Sequence, residues 1–205
     1  MKTTSEWVVT APVSQALSLS DAKAHLRVMD DTNDTEILRF IDVATRWLEE
    51  GLGITLINTS RGILTDSFPS GWGMIELPRP PLVSIDSFQY YDADNAQQTL
   101  VEDTDFTVVT SEKTRGYVYP ILTAWPNGWP TTYNRPDAVD LRFTAGYGAT
   151  NTSVPEEAKH ILRMMIAQFD EHRSATVEGR ISTEIKIAMQ SLRQALGHGF
   201  YAGVT

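Results

Sequence analysis

Between Ser18 and Gly53 the apolar residues recur at helical spacing. Ile37, Phe40, Ile41, Ala44, Trp47 and Leu48 share one arc, and Arg39, Asp42, Arg46, Glu49 and Glu50 the opposite one. The pattern predicts an amphipathic helix with a wide buried face. Asn33 and Glu36 stand at capping-box spacing, and Gly51 or Gly53 supplies the left-handed residue that ends a helix. A shorter helix before it starts at Ser18 or Ser20, buries Leu19, Ala22 and Leu26, and stops at Asp30-Asp31. Two helices joined by a short polar turn form a helical hairpin. Ahead of them, Glu6 to Thr10 followed by Pro12 reads as an apolar arm. Two placements are open for it, an edge strand within the chain or an arm crossing to a neighbouring subunit.

From Ile54 the period changes, and the chain becomes rich in Thr, Val, Ile, Tyr and Phe, broken by Pro and Gly. Strands are expected at Thr55 to Asp66, Met74 to Leu77, Leu82 to Tyr91, Thr99 to Val109, Gly116 to Ile121 and Ala138 to Ala145. Alternation slips by one residue between Ile85 and Phe88, which places a bulge near Asp86-Ser87. Asp92 to Asn95 is a turn signal, and Pro78, Pro80 and Pro81 keep their segment out of a central ladder.

Helical period returns after Asn151. Ser153 to Glu156 has capping-box spacing with Pro155 in the first turn, and Ala158, Ile161, Leu162, Met165, Ile166 and Phe169 follow at core spacing to about Arg173. A polar link from Ser174 to Arg180 leads to a last helix over about Ser182 to Leu196, ended by Gly197. The fold expected is α+β, a small four-helix core with two helices from each end of the chain and a β-rich insertion between helices two and three. Its parts are 1–53 (arm and helical hairpin), 54–150 (inserted β-rich module) and 151–205 (C-terminal helices and tail).

Charge alters this picture more than composition does. The net charge of −9 spreads over segments of five basic and nine acidic residues (1–53), six and eleven (54–150), and six and six (151–205). A protein that grips DNA clusters Lys and Arg, and no segment does so. No apolar run reaches the roughly 18 residues of a membrane span, and the N-terminus lacks a signal-peptide pattern, so synthesis in a cytosol is expected. With no cysteine, disulfides, thiolate metal sites and cysteine nucleophiles are excluded.

Little asks for catalysis. His25, His160, His172 and His198 form no metal spacing, and neither Glu102-Asp103 with Asp105 nor Asp30-Asp31 with Asp34 matches a calcium loop. No serine sits in a nucleophile-elbow pattern. No cofactor, metal or catalytic residue is expected. The segment Trp125-Pro126-Asn127-Gly128-Trp129-Pro130 with Tyr133 stands out, either as a cover for one end of the sheet, as a contact to a subunit partner, or as a stacking platform for sugars. Phe200 and Tyr201 have no evident core position.

Several phrases occur together. Ser20 to Val28, SDAKAHLRV, precedes an acidic turn, a helix ending in WLEE and a Gly-Ile-Thr exit; Asp66 to Pro69 (with an extra Ser67), Leu77 to Pro81, Tyr90 to Asp92, Trp125-Pro126, Thr144 to Gly148 and Val154-Pro155 follow. In this order, over roughly residues 12 to 175, the chain resembles the head-tail connector (adaptor) proteins of long-tailed bacteriophages and gene transfer agents. The last helix and tail match least.

The resemblance implies a non-enzymatic virion structural protein, made in the bacterial host cytoplasm and placed at the head-tail interface. It implies a ring of this chain, twelve subunits to match the portal protein, docked beneath the portal and offering a surface to a tail-side or stopper protein. DNA would pass through the lumen without specific binding, and no membrane is involved. On this reading Phe200 and Tyr201 anchor the tail of the chain to the portal, while Trp7, Trp125 and Trp129 are further candidate partner contacts. The alternative is a carbohydrate- or host-surface-binding module with Trp125, Trp129 and Tyr133 as its platform. A hydrolase with a carboxylate pair is disfavoured by the lack of a poised histidine or nucleophile motif.

Overall fold

The computed structural model describes residues 3–110, 116–171 and 183–195. The fold is α+β: among the described residues it has four α-helices and two antiparallel sheets. It divides into two compact units, a β unit of Met1–Pro12 with Asn58–Gly146 and a helical unit of Val13–Ile57 with Tyr147–Thr205. The N-terminal arm, grouped by sequence with the helical hairpin, is part of the β unit.

In the helical unit α1 spans Leu19–Leu26 and α2 spans Asp34–Leu52. Ser18 caps α1, its Oγ accepting from the Asp21 N–H at 3.1 Å. The helix ends before the acidic turn because Arg27 turns left-handed (φ 59°), with the Val28 N–H donating to the Lys23 carbonyl at 3.0 Å. The Asn33-Glu36 capping box does not form: Asn33 makes no side-chain cap, and Glu36 instead pairs with Arg39 at 3.3 Å. Lys23 ties the two helices together by reaching Asp31 and Asp34, the latter at 2.7 Å. Of the two candidate stops, Gly53 ends α2 in the left-handed region (φ 68°), and Gly51 lies within the helix.

A 3₁₀ turn at Asn151–Ser153 leads through Pro155 into α3 (Glu156–Glu171), and α4 spans Thr183–Ala195. The Glu156 carboxylate bonds Lys159 at 2.9 Å. Buried residues of all four helices join one aliphatic cluster that includes Ile37, Ile41, Leu48, Leu162, Ile166 and Leu192. Trp47, placed by its arc among the buried residues, is instead 46% exposed, beside Val43 at 43%. Ser174 to Arg180, Gly197, Phe200 and Tyr201 lie outside the described residues.

In the β unit the strands are β1 (Thr3–Thr10), β2 (Thr59–Thr65), β3 (Ile75–Glu76), β4 (Leu82–Tyr91), β5 (Gln97–Thr99), β6 (Phe106–Val109), β7 (Tyr117–Pro120) and β8 (Val139–Ala145). One sheet runs β1-β2-β8-β4-β5 and the other β3-β7-β6. Ile63, Leu141 and Phe88 lie side by side across three strands of the larger sheet, and Phe106 and Val118 face them from the smaller. The bulge expected near Asp86 is present as a register shift between Ile85 and Ser87. The strand expected at Thr99 to Val109 is two strands in different sheets. Between them the turn at 101–105 reverses the chain, with the Asp105 carboxylate accepting the Val101 N–H at 2.9 Å.

Of the two placements open for the arm, β1 takes the edge, antiparallel to β2. Two register shifts distort it, and Glu6 turns to Arg61 and Arg79. Both features discourage a further strand from pairing there.

Candidate partner-binding surfaces

The aromatic residues singled out in the sequence divide by what their rings touch. Trp7 lies half-buried over Gly62 on the neighbouring strand. A Cβ at Gly62 would sit 2.4 Å from its ring, so only glycine lets the indole lie flat on the sheet. Trp129 is 9% exposed and stacks on Phe68, with centroids 4.9 Å apart and planes 4° from parallel. Its edge meets Phe88, and its Nε1–H donates to the Gly73 carbonyl at 2.7 Å.

Gly128 makes this seat. With φ at 97°, a Cβ there would lie 2.1 Å from the Gly71 carbonyl oxygen, so the 71–73 and 125–129 loops touch backbone to backbone. Trp125 packs half-buried against the same core, its Nε1 buried without a hydrogen-bond partner. Tyr133 is 43% exposed. Trp129 is thus a core residue, and it cannot offer an open ring face to a sugar or a partner. The three-ring platform loses its central member, because apolar burial outweighs solvent exposure for an indole whose one polar atom is satisfied.

Two exposed apolar surfaces escaped the sequence reading. One is the Val43–Trp47 pair on α2. The other is the outward face of the smaller sheet, where register places Glu76, Tyr117 and Val109 in one row and Tyr119 beside Thr107 in the next. The Tyr119 hydroxyl donates to Met74 Sδ at 3.3 Å, and Met74 and Trp72 are both exposed. The signal was present: in Tyr117-Val118-Tyr119 the valine parity is the core parity, so both tyrosines turn outward.

Electrostatics in the β unit favours acid. Arg61 and Arg79 share Glu6, Arg135 grips Asp137 through two bonds of 2.6 and 2.7 Å, and Arg142 pairs with Asp140. The Arg135 guanidinium also lies 3.8 Å from the centre of the Tyr91 ring. The bond from Arg135 holds the Asp137 carboxyl below its ordinary range, and Asp92 is lowered by Gln98 and by backbone N–H groups of its turn. In the helical unit, burial pushes the Tyr147 phenol up to about 12, and its hydroxyl has no hydrogen-bond partner. Among the described residues no group of three His, Asp or Glu is gathered that could hold a metal, and no helix is long and apolar enough to cross a membrane.

The fold and surfaces define a class: an α+β protein of two units that presents apolar and acidic surfaces rather than a reactive cleft. The family follows from comparison. The model of the phage gp6-like head-tail connector protein family matches residues 16–107, so the resemblance read from the sequence phrases stands. No curated protein matches the chain. Among solved structures, a chain in the neck of an empty gene transfer agent particle computed with C6 symmetry has a TM-score of 0.73 at 20% identity, covering 91% of this chain and 94% of its own length. A chain in the virion of a native gene transfer agent particle gives 0.74 at 19%, covering 91% and 93%. One in the neck of the native particle computed with C12 symmetry gives 0.71 at 18%, again 91% and 93%. The family match supports a structural connector role.

Proposed function

We propose that this chain is a non-enzymatic head-tail connector that forms a ring beneath the portal of a tailed phage-like particle, with DNA passing through the lumen. The observation that carries this reading is the connector-family match over residues 16–107, and the fold likeness to neck chains supports it over 91% of the chain. Particles computed with C12 and C6 symmetry suit a ring of this fold, and a twelvefold ring suits the portal. The helices, as a small four-helix core with the β-rich segment inserted between the second and third, build the ring. Phe200 and Tyr201 anchor the C-terminal tail to the portal. A heterologous ring needs two different faces per subunit, which an α+β chain of two units supplies. The acidic balance of the chain suits a conduit that lets DNA slide without gripping it.

The test is to add the purified protein to DNA-filled heads that carry a portal but no tail, and to image the unique vertex by electron microscopy. Ring density under the portal is expected. Bare vertices with folded protein would overturn the reading. Deleting residues 198 to 205 should abolish docking and leave the fold intact.

A further inference from the structure

We infer that the outward face of the β3-β7-β6 sheet docks a basic, partly apolar segment of the tail-side protein, an inference that rests on the ring reading above. One face of this sheet is core: Ile75, Phe106 and Val118 are each at most 2% exposed. The opposite face would be polar if it only met water. It carries instead Tyr117 and Tyr119, with Val109 at 53%, Met74 at 47% and the neighbouring Trp72 at 44% exposure. Tyrosine, tryptophan and methionine are the residues that protein interfaces concentrate, because they bury large areas for few frozen torsions. The face is also stiff, since the Tyr119 hydroxyl is held on the Met74 sulfur and Tyr117 stands between strands on both sides.

Charge selects the occupant. Each described arginine of the β unit (Arg61, Arg79, Arg135 and Arg142) is already in an ion pair. The rim of the face is acidic: Glu76 shares its row, and Glu102, Asp103 and Asp105 form the turn that enters β6. Such a rim repels DNA and anionic lipid and attracts a segment whose apolar side chains are flanked by Lys or Arg. The ring and portal contacts being assigned to the helices and the C-terminal tail, this face is left for the tail side.

The experiment mixes ring-bearing, DNA-filled, tailless heads with purified tails and counts joined particles by electron microscopy at low and raised salt. Wild-type joining should fall as salt rises. The double variant Met74→Ala/Tyr119→Ala should keep ring density on the heads and lower joining about tenfold. Because half-buried Tyr119 also contributes to the fold, exposed Val109 supplies the second arm: Val109→Lys should lower joining more than Val109→Glu, since only the lysine repels a basic segment. Equal joining by all variants, or the reverse order at position 109, overturns the inference. Ring density lost in the variants but kept in the wild type would assign the face to the ring or portal and overturn it too. Wild-type protein that forms no ring at all sinks the ring reading itself, a separate result seen before any tail is added.

Discussion

The two units reach stability by different chemistry. The helical core is aliphatic, built from Ile, Leu, Ala and Met that recur along each helix, so much of its contact set is local in sequence. The β core is aromatic. Phe68, Phe88, Phe106 and Trp129 meet in edge and stacked pairs, and they come from segments far apart in the chain. Aliphatic helices tolerate loss by local rearrangement, whereas an aromatic cluster joined by long-range strand pairing stands or falls on a few rings.

The largest effect should come from removing the ring that joins two loops to the sheet. Trp129→Ala is expected to destabilise the β unit by about 3–5 kcal/mol, because it opens a large cavity and frees the Gly73 carbonyl. Leu162→Ala in the helical core should cost about 2–5 kcal/mol. Hydrogen exchange followed by mass spectrometry would show whether each loss stays in its own unit; protection lost equally in both units by Trp129→Ala would break the comparison. Next, Gly128→Ala should cost on the order of 1–3 kcal/mol in urea unfolding, since it forces a Cβ onto the Gly71 carbonyl in a left-handed conformation. Unchanged stability would mean the two loops separate easily.

Tyr147→Phe should act in the opposite direction and stabilise the helical unit by about 1 kcal/mol, because it removes a hydroxyl without a partner. It also carries a pH signature. The phenol ionises near 10.0 when unfolded and near 12 when folded, so unfolding releases its proton between those values. Wild-type stability should therefore drop as pH rises through that window, and the drop should shrink in the Phe variant. Smallest is Asp92, whose carboxyl is lowered from 3.8 by its turn. Its contribution is present above that value and fades as pH falls below it, so Asp92→Asn should flatten the acid limb of a melting curve.

Periodicity made α2, α3 and the β4 strand legible, and β4 matches its expected ends, Leu82 and Tyr91, because alternation there is clean up to the bulge. It misled at Trp47. The residue sits at the margin of the apolar arc, where geometry permits either burial or exposure, and only the packing of neighbouring helices decides. The strand expected from Thr99 to Val109 failed for a related reason: propensity reads through the acidic turn, while the two sheets claim opposite ends of the segment. In the aromatic segment the sequence showed rigid rings without showing where they point. Trp129 turned inward, and Tyr117 and Tyr119 outward, by strand register.

By itself the sequence determined the elements, the α+β class, the acidic balance and the connector phrases, because these depend on local spacing and on composition. Tertiary structure alone decided that the arm completes the β unit, that Gly62 and Gly128 seat two indoles, and that a tyrosine face with an acidic rim lies open. Those outcomes depend on contacts between residues tens of positions apart, which no local pattern encodes.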